Sequence, residues 1–265
     1  GGTMTMAAVN FPGIFHAWGR QVVAGIGWEL VSRCVSECGG TLPDFDAIPP
    51  RPWMHQVRIN PAVYAALCDE AVVESGADLL LHTMLAGVRR DGDAWRVTVC
   101  AKGGLREIEA RALIDCTGDG DVAFRAGVPC EKGDEHGGMQ PPTLMFCMAN
   151  VDTDKLRTSI AGDPETYDVD FIPPDYFARN RRFIVVGLRK LIEQARRAGY
   201  SIATDRTILI TGLREGEVWV NMTRVKGIDG TDPRSLTLGE LEAAAQVDDI
   251  RRYLIDYVPG FEKAY

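Results

Sequence analysis

Apolar residues recur along the chain in two rhythms, a helical period of about 3.6 residues and short extended runs. Between positions 13 and 38, Ile14, Phe15, Val22, Val23, Ile26, Leu30, Val31, Cys34 and Val35 roughly follow the helical period. Gly19, Gly25 and Gly27 interrupt it, so the pattern predicts a loop or short helix and then a firmer helix from about Trp28, closed by Gly39-Gly40. The Pro-rich stretch LPDFDAIPPRPW, 42–53, is a non-helical excursion. Asn60 as N-cap and Pro61 in the first turn then open a helix that runs to about Ser75 and stops at Gly76. A short buried strand is expected in ADLLLHTML, 77–85. Three further β-compatible runs, 85–89, 95–101 and 106–115, are separated by Asp91-Gly92 and Gly103-Gly104 and read as a meander.

The second half continues both rhythms. After a Gly-rich, Pro-bearing loop, TLMFCMANV at 143–151 is strand-like, and 162–175 is read as a connector. An amphipathic helix is expected over 183–198, with Ile184, Leu188, Leu191 and Ala195 on one face and Gly199 as its stop. The segment 207–225 reads as a hairpin turning at 214–217. A last helix is expected from Thr237, with a capping box to Glu240 and Leu241, Val247, Ile250, Leu254 and Tyr257 at helical spacing, ending at Pro259-Gly260.

Composition narrows the class. The 265 residues are 46% hydrophobic and 25% charged, the balance of a folded globular chain. A formal net charge of -8 and a pI near 5.1 argue against nucleic acid as a partner, which needs clustered Lys and Arg. Seven cysteines without a C-x-x-C pair read as free thiols, and Cys34 and Cys38 lack the further ligands a metal needs. No apolar run approaches the ~18 residues of a membrane span and no signal peptide is evident, so the cytoplasm is the expected location. The start at Gly1-Gly2-Thr3-Met4 and the stop at Ala264-Tyr265 suggest a piece of something longer.

The candidate chemistry centres on ALIDCTGDGDVAFRAGVP, 112–129. Gly118-x-Gly120-x-x-Ala123 fits the G-x-G-x-x-G/A form between an expected strand and an expected helix, whose first N–H groups would face an anion. Asp119 and Asp121 oppose a phosphate placed directly there, by about 1–4 kcal/mol at ~4 Å, and suit capping or sugar hydroxyls better. Asp115, Thr117, Asp119 and Gly120 also fall on the first, third, fifth and sixth positions of a calcium loop. Ala126 stands where that loop needs Glu, so no metal is expected. A turn that merely needs glycine is the competing reading.

ALIDCTGDGDVAFRAGVP followed by MQPPTLMF resembles the FAD-dependent oxidoreductase family that is distantly related to fumarate reductase and succinate dehydrogenase flavoproteins. The opening 1–31, the segment 59–84 and the segment 236–262 resemble the same family. The resemblance implies an α/β fold: a three-layer FAD-binding domain from 1–148 with an inserted β-meander, a smaller α+β substrate or cap region at 149–235, and a helix at 236–265 returning toward the FAD domain. It also implies an interior fragment, lacking the first βαβ glycine fingerprint. FAD is the implied cofactor. Gly1, Gly2, Thr3 and Thr5 would lie toward the pyrophosphate and flavin, Met84 and Leu85 near adenine, and Cys116, Thr117, Gly118 and Asp119 along the FAD site. His16 and Arg20 are the implied catalytic pair, for a proton relay and a carboxylate partner. His136 and Gln140 are a second candidate pair, and His55 and His82 are read as incidental. The implied reaction passes a hydride between a small organic substrate and flavin, and a homo-oligomer is compatible. A non-catalytic flavin-fold scaffold and a non-flavin Rossmann-like enzyme are the alternatives.

Overall fold

Local signals explain most of the helices. The computed structural model describes residues 1–49 and 51–265; Pro50, inside the Pro-rich excursion, lies outside the described residues. After the short α1 (Gly2–Thr5), a two-stranded hairpin pairs β1 (His16–Ala17) with β2 (Arg20–Gln21), and α2 spans Ile26–Glu37. A single 3-10 turn, Pro52–His55, precedes α3 (Pro61–Glu74). The Asn60 side chain accepts hydrogen bonds from the Ala62 and Val63 N–H groups at 3.0 and 3.3 Å, the cap its sequence position implies.

The meander forms as expected at its turns: β3 (Met84–Asp91), β4 (Ala94–Ala101) and β5 (Gly104–Ala110) pair antiparallel in that order. It differs at its ends. Neither 77–83 nor 111–116 is strand, because no neighbouring strand completes a ladder with them. Their apolar side chains are left outside, with Leu80, Leu81 and Ile114 at 63%, 56% and 87% exposure. The turn at 115–120 leads into α4 (Asp121–Arg125), which packs against β3.

The second sheet has the order β6-β9-β8-β7, built from β6 (Phe146–Met148), β7 (Ile184–Gly187), β8 (Thr207–Thr211) and β9 (Val218–Val220). Its pairings, like all those between the described strands, are antiparallel. The helices α5 (Thr153–Gly162), α6 (Pro174–Arg179) and α7 (Arg189–Arg197) pack around it, with α8 (Pro233–Tyr257). The helix expected over 183–198 is thus a strand followed by a helix. Ile184-Val185-Val186 is a β-favouring run that pairs with 208–210, and Gly187 at φ 142° makes the break. The last helix starts at Pro233 rather than Thr237, because the Asp232 side chain accepts from the Arg234 and Ser235 N–H groups and Pro233 presets the first turn. The stretch read as connector, 162–175, runs into the start of α6, which opens at Pro174.

Two apolar cores result. One gathers Phe15, Val31, Cys34, Val35, Val57, Ile59, Tyr64 and Leu67 from the N-terminal hairpin, α2, α3 and the extended segment before it. The other joins the second sheet to its helices through residues such as Met148, Leu156, Phe177, Val185 and Leu209, and it takes Ile250, Tyr253 and Leu254 from α8. Mixed helices and antiparallel sheets make an α/β fold, with helix and strand interleaved along the chain.

Candidate functional site

The glycine turn is organised by a carboxylate that lies outside the glycine pattern. Asp115 Oδ1 accepts from the Thr117 N–H at 2.9 Å and from its hydroxyl at 2.6 Å, while Oδ2 accepts from the Ala123 N–H at 2.9 Å. These bonds, led by the Thr117 hydroxyl, hold the Asp115 carboxyl down at about 2. Thr117 Oγ1 in turn accepts from the Asp121 N–H at 2.9 Å. Two of the first three N–H groups of α4, those of Asp121 and Ala123, are therefore already occupied, and the capping expected of Asp119 or Asp121 falls to Asp115 and Thr117. Asp121 instead pairs with Arg125 on the same helix.

Gly118 and Gly120 have φ of 92° and 74°, and a Cβ placed on either would meet nothing within 4 Å. Backbone conformation is thus the reason for glycine, and the outer side of the turn is open. Thr117, Gly118 and Asp119 are exposed, and Asp119 has no ion-pair partner among the described residues. Open backbone beside a free carboxylate suits a hydroxyl-bearing group better than a second anion. Met84 and Leu85 begin β3, the strand against which α4 packs, so these two sets of expected FAD contacts share one part of the fold. Gly1, Gly2, Thr3 and Thr5 lie elsewhere, on or beside α1, which packs against α3. Cys116 is exposed within the turn.

The sequence profile described as FAD dependent oxidoreductase matches residues 1–265. The chain belongs to the FAD-dependent oxidoreductase family. FAD is the cofactor of that family, and the open turn fits a hydroxyl-bearing portion of such a group. No curated protein matches the chain. Among solved structures, the anhydrotetracycline hydroxylase OxyS of Streptomyces rimosus is 14% identical at a TM-score of 0.36, over 77% of this chain and 31% of its own. CabE, an aromatic hydroxylase from angucycline biosynthesis, is 14% identical at 0.39, over 90% and 41%. The p-nitrophenol 4-monooxygenase PnpA of Pseudomonas putida is 11% identical at 0.40, over 97% and 49%. This member of the family thus spans less than half the length of each of these three structures.

The two expected catalytic residues of this oxidoreductase-family chain sit on the β1–β2 hairpin but do not face each other. His16 is opposite Gln21 and Ala17 opposite Arg20, so alternation sends the His16 and Arg20 side chains to different faces. Arg20 is exposed. His16 stacks on Phe45, with ring centroids 3.7 Å apart and planes 14° from parallel, and meets Trp28 edge-on. Burial, with a smaller contribution from nearby His55, lowers its pKa and favours the neutral ring. His16 Nδ1 is buried without a partner.

His55, read from sequence as incidental, belongs to the same aromatic cluster through Phe45. Its Nε2 lies 2.9 Å from the Ala47 carbonyl and so donates to it, while Nδ1 is buried with no hydrogen-bond partner among the described residues. His136 is exposed, beside Glu135. His82 sits in the non-strand stretch before β3, at φ 52°.

Beside this cluster opens a cavity of about 770 Å³, walled by the Pro-rich excursion, the extended segment after the 3-10 turn, α6 and the approach to β7. Sequence reading passed over it. The available signal was HQVRI at 55–59, where polar residues alternate with the buried Val57 and Ile59.

Proposed function

We propose that the protein works as an FAD-dependent oxidoreductase that passes a hydride between a small organic substrate and the flavin. The family match along residues 1–265 carries this reading, and the geometry of the turn supports it. When bound, the flavin supplies the redox centre that takes up or gives the hydride. The chain's own residues hold and orient. Thr117 and Gly118 would present backbone along the cofactor, and the Asp119 carboxylate would accept from its hydroxyls. Met84 and Leu85 would provide backbone contacts farther along, in the three-layer FAD-binding arrangement of the family.

On the substrate side, His16 is held neutral with Nδ1 free, a state that can take up a proton at that atom. Arg20, exposed on the neighbouring strand, offers a cation to an acidic substrate. The tip of this hairpin adjoins the cavity: a Cβ on Gly19 would come within 3.0 Å of Ile48, which lines it. The non-flavin reading, with the turn as a primary phosphate site, is disfavoured because Asp115 and Thr117 occupy the N–H groups that phosphate would need.

The test is flavin stoichiometry in variants of the full gene product. Thr117→Val removes the hydroxyl that links Asp115 to the Asp121 N–H, and Gly118→Val forces a side chain into a left-handed backbone. Both should purify with less bound FAD than wild type. Unchanged flavin content in both, in folded protein, removes the turn from the cofactor site.

A further inference from the structure

The 770 Å³ cavity is lined by an arginine, Arg58, that makes no ion pair among the described residues; of the two carboxylates that also line it, Asp44 and Asp175, the second pairs with Arg179. Arg58 comes from the extended segment between the 3-10 turn and α3, where its neighbours Val57 and Ile59 are buried in the N-terminal core. Its Nε is shut off from solvent and has no hydrogen-bond partner among the described residues. No carboxylate among the described residues lies within ion-pairing distance of it, although the chain has many ion pairs elsewhere. Its polar neighbour is the Tyr176 phenol of α6, and Arg182 adds a second positive charge nearby. Burial and that repulsion both act against the charged guanidinium, whose pKa is lowered. Arg182 is held in place by the Leu213 carbonyl at 3.0 Å, with Thr41 Oγ1 at 3.4 Å.

Arg58 is half-buried, and drawing a cation without an ion-pair partner even partly out of water is costly; repulsion by Arg182 adds to the cost and the Tyr176 phenol offsets some of it. An anion placed between the two arginines would offset both costs. The remaining wall includes Leu42, Ile48 and Met54, apolar surface that a bare inorganic ion would leave unused. The volume falls within the ~300–1,000 Å³ of small-molecule sites.

We propose that this cavity is the substrate site and that it takes a small organic carboxylate, with the carboxylate between Arg58 and Arg182 and the organic body against Leu42, Ile48 and Met54. The cavity's role as substrate site rests on the oxidoreductase reading; its selectivity for a carboxylate does not. His55 lines the cavity and stacks edge-on against Phe45, on whose ring His16 lies, so the aromatic cluster borders the proposed site.

The test is thermal unfolding and calorimetric titration of the full gene product with succinate and phenylacetate. Their neutral amides and sodium chloride at matched ionic strength serve as controls, and flavin content is read in parallel. The proposal expects the acids to raise the unfolding temperature and the amides and chloride to leave it unchanged. Arg58→Met should unfold no lower than wild type without ligand, because it removes a half-buried charge that has no ion-pair partner, and should weaken acid binding by about tenfold or more. Arg182→Gln should weaken it likewise, and Arg58→Lys should restore part of it. The proposal is overturned if acids act no better than amides or chloride, or if Arg182→Gln and Arg58→Met both bind acids as wild type does. Because binding is read without turnover, a colourless protein that still binds acids would sink the flavin reading and the substrate role with it, and spare the carboxylate selectivity of the cavity.

Discussion

The Asp115 carboxylate reaches eight residues ahead to accept the Ala123 N–H at 2.9 Å while its other oxygen holds Thr117. One side chain thereby closes the glycine turn and caps the helix that follows. Asp115→Asn would set an amide N–H against a backbone N–H at one of these contacts, so the variant should unfold at lower temperature and lose FAD affinity. The folded-state pKa of about 2 lies below the ordinary 3.8. The stability Asp115 contributes is therefore present above roughly pH 4 and is lost as pH falls through about 2. Thermal midpoints from pH 2 to 5 should show a steeper acid loss in wild type than in Asp115→Asn; parallel curves would contradict the assignment.

Gly187 ends β7 where its backbone crosses Asp168. A Cβ there would sit 2.2 Å from the Asp168 carbonyl oxygen, and φ of 142° already disfavours a side chain. Gly187→Ala should cost about 2–3 kcal/mol through this clash. Urea unfolding should show a lower midpoint at unchanged slope.

Thr207 and Tyr253 form a buried hydroxyl pair at 2.7 Å between β8 and α8. Tyr253→Phe should cost about 1–2 kcal/mol because it strands the Thr207 hydroxyl. Pairing it with Thr207→Val should cost less than the sum of the two single changes. Strict additivity in that double-mutant cycle would deny the coupling.

Arg20 is exposed on the hairpin and distant in role from the glycine turn. Arg20→Ala should lower turnover of acidic substrates several-fold while leaving flavin content unchanged. Normal kinetics across such a panel would remove Arg20 from the substrate side.

Legibility from sequence followed the range of the interactions. The Asn60-Pro61 cap and the Gly-containing turns of the meander are local, and the structure has them where the sequence places them. The 183–187 stretch was misread because a short apolar run satisfies both rhythms, and only pairing with β8 decides between them. Leu80, Leu81 and Ile114 look like strand interior in sequence, yet an extended run becomes a strand only beside a partner. The glycines at 118 and 120 were legible as a turn, whereas the role of Asp115 depends on a contact that spacing alone does not announce. The cavity was invisible for the same reason. Arg58 and Arg182 come from distant segments, and that neither makes an ion pair among the described residues is visible only in three dimensions.

The most direct measurement is the visible absorption spectrum of the purified full gene product, with chromatography of whatever cofactor heat releases. The account predicts a yellow protein that releases FAD and whose absorbance bleaches on reduction. A colourless protein that also fails to take up added FAD would contradict it.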